Sequence, residues 1–178
     1  MSTSQRTTES ATIRVAFDTS VLLDWYKRPS DKAKELEALA EIFKIKLSAD
    51  IGRWHFMYLD AVRREIGGVR LDHLERESEI QDILPCFDER VSLSKLPFTF
   101  PVTVVGKEHG EAIEAFQSMS VSKNDSIVLA DAAYLKVQFL VTTDMRIIRN
   151  VHATRQAQKL HDLIITSPTE FLSLIPHL

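Results

Sequence analysis

Cysteine is nearly missing from this chain. Cys86 stands alone among 178 residues, which excludes an internal disulfide framework and fits a reducing, cytoplasmic setting. Only five glycines are present, and none forms a GxxxxGK[ST] phosphate loop or a GxGxxG turn after the first apolar run. No apolar stretch approaches the roughly 20 residues of a membrane-spanning helix. The opening "MSTSQRTTESAT" lacks the apolar centre of a secretory signal. Neither charge sign dominates: the formal balance is −3, which argues against coating nucleic acid through overall electrostatics but leaves a local basic path open. The six histidines make no HExxH pattern and weigh against a His-based zinc centre. There is no CxxC and no GxSxG elbow.

What is present is an alternation of short apolar runs with helical patterns. "IRVAF" at 13–17, "HFMYL" at 55–59, "QFLVTT" at 138–143 and "LIITSP" at 163–168 read as strands covered on both faces. Between them, "TSVLLDWYKR" and "DKAKELEALAEIFKIKL" read as helices, with Asp31 capping the second. Asp60 reads as the cap of "AVRREIGGVRLDHLERE", and helical character returns in "EHGEAIEAFQSM". "SKND" resembles a capping box in front of "SIVLADAAYLKV". The sequence closes with two more helical segments, "RNVHATRQAQKL" and "TEFLSLIPHL". The pattern predicts a three-layer α/β/α sandwich with a central, mainly parallel sheet. A polar tail over 1–12 precedes a single domain over 13–178. Residues 91–107, with two prolines and several β-formers, fit an edge strand or an ordered loop.

Four carboxylates fall where such a fold gathers residues. Asp18 and Asp144 each end a strand. Glu65 lies one helical turn past a third strand, and Asp125 sits in the first turn of the helix before the Asp144 strand. In an open parallel sheet the carboxyl ends of neighbouring strands share a crevice. Clustered acids repel unless protons or cations offset them. A hard divalent ion with oxygen ligands, Mg²⁺ or Mn²⁺, meets that need better than Zn²⁺, and such an ion polarises phosphoryl groups and activates water.

The same residues carry a resemblance. "VAFDTSVLL", "LDAVRREI", "KNDSIVLADAA", "FLVTTDMRI" and "ITSPTEFL", in that order from residue 13 to about 174, resemble the PIN-domain ribonucleases, in particular the toxins of bacterial and archaeal toxin–antitoxin pairs. The resemblance implies a PIN-like fold and endoribonuclease activity: RNA phosphodiester hydrolysis by metal-activated water at Asp18, Glu65, Asp125 and Asp144. These four would also hold the Mg²⁺ or Mn²⁺. Thr142 matches the family's hydroxyl near the acids, with Thr143 beside it, and Ser20 replaces an Asn often found after the first Asp. A homodimer and an antitoxin protein partner are further implications; a membrane is not.

Blander readings stand beside each residue. Asp18, Asp125 and Asp144 can be plain helix caps, and Glu65 a solvated acid beside Arg63 and Arg64. Asp131 lies about 120° from Asp125 on a helical wheel, which predicts polar surface or a local pair; Asp24 is likewise set aside. Trp25, Tyr26, Phe43, Trp54 and Phe56 suit a core or a subunit face better than base stacking. His55 and His109 read as surface residues. Residues 144–159 carry four basic groups against one acid, so Arg146 and Arg149 are candidate RNA-phosphate contacts. Two other function classes fit the same acids. One is a catalytically silent PIN-like module for protein or RNA binding; the other is a DNA-active nuclease or phosphatase-like hydrolase.

Overall fold

The structure, a computed structural model, describes residues 12–48, 54–59, 61–62, 80–91 and 102–175. The tail assigned to 1–12 and the capping role of Asp60 fall, apart from residue 12, outside the described residues. Five parallel strands are described: β1 (Ile13–Phe17), β2 (Trp54–Leu59), β3 (Glu89–Val91), β4 (Phe139–Val141) and β5 (Ile164–Thr166). Their order is β3-β2-β1-β4-β5. The chain thus builds outward from β1 to β3, then returns to the other side of β1. That reversal makes the β1–β4 boundary the switch point of the sheet. The helices are α1 (Thr19–Lys27), α2 (Ala33–Ser48), α3 (Val102–Ser118), α4 (Lys123–Tyr134), α5 (Met145–Ile148), α6 (Val151–His161) and α7 (Pro168–Leu174).

Strand register decides which residues share a face. Ile13 is level with Trp54, and Val15 with both Phe56 and Phe139. With period-two alternation, Val15, Phe17, Trp54, Phe56 and Phe139 therefore face one helical layer. Phe17 meets Phe43 of α2 at 5.4 Å between ring centroids, and Phe171 of α7 meets Trp54 and Phe139 at 5.5 and 5.4 Å. Ala16, Met57 and Leu140 face the other way, toward the α3–α4–α6 layer, in which α4 contributes buried Val128, Leu129 and Ala132. Both faces are covered, as the unbroken apolar strands predict.

Two elements differ from the sequence reading. Of the segment 91–107, residue 91 ends the edge strand β3 and 92–101 lie outside the described residues. Both edge strands, β3 and β5, are only three residues long, which protects the sheet margins by brevity. Helix α3 starts at Val102, six residues before the helical pattern predicted at Glu108, so "VTVVG" is helical despite its β-branched residues. Propensity is a weak prior that tertiary packing overrides, and α3 packs along α4. Trp25, Phe43, Trp54 and Phe56 are core residues, whereas Tyr26 is exposed.

Cys86 lies under this core at 1% exposure, with its thiol 3.9 Å from the Phe43 carbonyl. Burial pushes the thiol up to about 11, so almost no nucleophilic thiolate exists at pH 8. A disulfide-exchange reagent at pH 8 is expected to label Cys86 roughly 10²-fold more slowly in the folded protein than after unfolding in guanidinium. Equal rates would place the thiol outside the core.

Candidate active site

Asp18 and Asp144 follow paired neighbouring strands at the same edge of the sheet, Phe17 of β1 being level with Val141 of β4. The ladder runs on past the strands: the Asp18 N–H donates to the Val141 carbonyl at 2.9 Å, and the Thr142 N–H to Thr166 at 2.9 Å. This extension holds "FD" and "VTTD" rigidly at the carboxyl edge of the sheet.

Asp18 occupies the N-cap position of α1, yet its side chain makes no capping hydrogen bond. It turns inward and is 2% exposed. Its Oδ2 accepts from Ser20 Oγ at 2.7 Å and from Thr142 Oγ1 at 2.8 Å. Both hydroxyls are themselves anchored by backbone. The Thr143 N–H donates to Ser20 Oγ at 3.2 Å, and the Asp144 N–H to Thr142 Oγ1 at 3.0 Å. Thr142 thus links one acid to the next: its hydroxyl proton serves Asp18 while its lone pair serves the Asp144 backbone. Burial raises the Asp18 carboxyl above its ordinary range; the Ser20 and Thr142 hydroxyls oppose that, and the nearby charge of Asp125 adds to it.

Asp125 sits in the first turn of α4, where Ser122 Oγ accepts from its N–H at 3.2 Å and donates to its Oδ2 at 2.6 Å. The cap read from "SKND" is therefore present, with the serine hydroxyl serving both roles. Asp125 also lines a cavity of about 270 Å³ with Ser120, Ser122, Arg146 and Asn150. Its charge reaches both Asp18 and Arg146.

Asp144 does act as a cap. Its Oδ1 accepts from the Arg146 N–H at 2.8 Å, and the Arg146 guanidinium grips both carboxylate oxygens. These hydrogen bonds hold the Asp144 carboxyl below its usual range, with Lys32 contributing. The Arg146 side chain is otherwise in solvent, 85% exposed. Arg149 is exposed and does not line the cavity that holds Asp125 and Arg146. Glu65, with Arg63 and Arg64, lies outside the described residues.

Sequence reading missed two members of this edge. Lys32, in the turn between α1 and α2, donates from Nζ to the Thr143 carbonyl at 2.6 Å and lies 3.5 Å from Asp24. Asp24 accepts in turn from Thr143 Oγ1, so Thr143 is tied to α1. These contacts join residues 111 and 119 positions apart, and no local pattern announces them. Asp131, read as polar surface or a local pair, is paired: it is 6% exposed and meets His109 Nε2 at 2.6 Å. It braces α3 against α4 away from the Asp18 edge. His55, in turn, meets Glu89 at 3.0 Å.

The donor set suits a hard cation: it is all oxygen, and its most buried member is a carboxylate raised by desolvation and by a like charge. Among the described residues no three His, Cys, Asp or Glu side chains close around one point. Asp18 and Asp125 offer oxygen ligands of the kind a hard cation takes, whereas the Asp144 carboxylate is occupied by Arg146.

No family model and no curated protein matches the chain. Among solved structures it is similar to VapBC2 from Rickettsia felis bound to a DNA fragment from their promoter. That likeness has a TM-score of 0.49 and 12% identity, covering 87% of this chain and 98% of the other. It assigns no residue a role. No helix among the described residues is long and apolar enough to cross a membrane.

Proposed function

We propose that this chain is a divalent-metal-dependent endoribonuclease of the PIN type. The observation that carries the reading is the buried Asp18 carboxylate at the sheet switch point, aimed by Ser20 and Thr142 rather than spent as a helix cap. Keeping a carboxylate desolvated beside Asp125 is costly, and a cation offsets that cost. Asp18 and Asp125 would hold Mg²⁺ or Mn²⁺, joined by Asp144 and, from the resemblance, Glu65. When bound, the ion supplies Lewis-acid polarisation of a phosphoryl oxygen and a lowered pKa for water.

The chain's own groups do the rest. Ser20 and Thr142 fix the Asp18 rotamer. Arg146, exposed apart from its grip on Asp144, exchanges that carboxylate for an RNA phosphate, since a guanidinium binds either in the same forked geometry. Asp144 is thereby released when substrate arrives. Attack by water on phosphorus leaves a 3′-hydroxyl and a 5′-phosphate. The resemblance also carries the proposal of a homodimer and of an antitoxin protein partner.

A second reading has its own support. Arg146 satisfies Asp144 completely, as it would in a catalytically silent module. Incubating the purified protein with structured and single-stranded RNAs in Mn²⁺, Mg²⁺ or EDTA separates the two. The nuclease reading expects metal-dependent cleavage with 5′-phosphate ends. Bound ion without cleavage of any RNA would favour the silent module, and preferential turnover of DNA or a phosphomonoester would change the substrate class.

A further inference from the structure

A second cavity, of about 490 Å³, adjoins the site and shares Ser120 with the first. Ser118, Met119 and Ser120 form one wall; His152, Arg155, Gln156 and Lys159 of α6 form the other. At 100° per residue these four α6 positions fall within an arc of about 100°. Ala153 and Ala157, fully buried, dock the opposite face of the helix. The basic face is therefore fixed in orientation, and His152, Arg155 and Lys159 are all exposed.

The trough is also held open by a staple. Asn150 Nδ2 donates to the Met119 carbonyl at 2.7 Å while Asn150 Oδ1 caps α6 through the Ala153 N–H. Ser120 sits in the left-handed region at φ 63°, which turns the α3–α4 connection sharply beside α6. From the Asp125–Arg146 cavity the charge then runs in one direction, through His152 and Arg155 to Lys159.

We propose that this α6 trough binds the RNA backbone flanking the cleaved phosphate, as a subsite for the strand leaving the active site. The inference rests on the ribonuclease reading. Its chemistry is that of a phosphate track: cationic side chains spaced along one helical face, interleaved with the hydroxyl and amide groups of Ser118, Ser120 and Gln156 that suit phosphate and sugar oxygens. His152 to Lys159 spans about 10 Å along the helix, long enough to meet more than one backbone phosphate. No Phe, Tyr or Trp lines it, so its contacts are weighted to backbone rather than to stacked bases.

The test is the affinity of a fluorescein-labelled ten-nucleotide oligouridylate in EDTA, across a salt series, for wild type and Arg155→Gln/Lys159→Gln. A second variant, Lys44→Gln/Lys107→Gln, removes the same charge at exposed sites on α2 and α3. The first variant is expected to bind about tenfold more weakly and to flatten the slope of log K against log salt by about 1.4, at 0.7 per phosphate contact on a single strand. The control variant is expected to keep both. A trinucleotide is expected to lose less affinity than the decamer. Equal slopes for the first variant and wild type, with RNA still cleaved by wild type, would overturn the trough and leave the nuclease standing. The same equality with lost binding of polyglutamate would make it a site for an acidic polypeptide. If wild type neither binds nor cleaves RNA, the nuclease reading fails and the trough falls with it.

Discussion

Asp18→Asn is expected to lower metal-dependent RNA cleavage by at least about 10²-fold, the scale of losing one preorganised electrostatic contact, and at the same time to stabilise the metal-free protein. The two effects share one cause. Burial raises the Asp18 carboxyl above its unfolded value, so the stability tied to it is fully present below the unfolded pKa and is lost as pH rises through the folded one. As pH rises toward neutrality the buried Asp18 carboxyl therefore works against folding. The neutral amide keeps the shape and removes that cost, which predicts a gain of about 1 kcal/mol, or roughly 2–4 °C. Wild type should recover the difference when loaded. At 100 times its dissociation constant an ion contributes about 2.7 kcal/mol, a rise of roughly 5–10 °C. Asp18→Asn should show little of it. A variant that melts lower without metal, or that gains as much from Mn²⁺ as wild type, would contradict this account of Asp18.

Thr142→Val is the sharper test of how the site is held. Valine matches threonine in shape but carries no hydroxyl, so the Thr142 contacts with Asp18, Ser20 and the Asp144 N–H all vanish in a fully buried position. The Asp144 N–H loses its acceptor and Asp18 loses a donor. Leaving buried polar groups unpaired costs about 1–3 kcal/mol. Cleavage should fall by about 10–100-fold, as when a partner that orients a metal ligand is lost. Thr142→Ser, which restores the hydroxyl, should recover most of the activity even though it removes a methyl group from the core. If serine fails while valine is active, the contribution of Thr142 is packing rather than hydrogen bonding.

Much of this edge was legible in sequence because it depends on strand ends. "IRVAF" and "QFLVTT" announce buried strands, and an acid ending each one meets the other wherever those strands pair. Asp125 was legible through its serine cap. Other parts depend on long-range partners that no local pattern encodes. Lys32 reaches Thr143 across the whole first half of the fold, and Asp24 enters only because α1 folds back along the β4 edge. The partner of Asp131, His109, lies 22 positions away, beyond the reach of the wheel angle that set it apart from Asp125. Helix α3 begins earlier than its helical pattern because local propensity, low for the β-branched residues at its start, is a weak prior.

Crystals grown with Mn²⁺ and measured at a wavelength where manganese scatters anomalously give the most direct answer. The account predicts an anomalous peak at the carboxyl end of β1, within about 2.1 Å of an Asp18 oxygen, with Asp125 turned toward it. A structure with no peak at saturating Mn²⁺, and with the Asp18 hydrogen bonds unchanged, would contradict it.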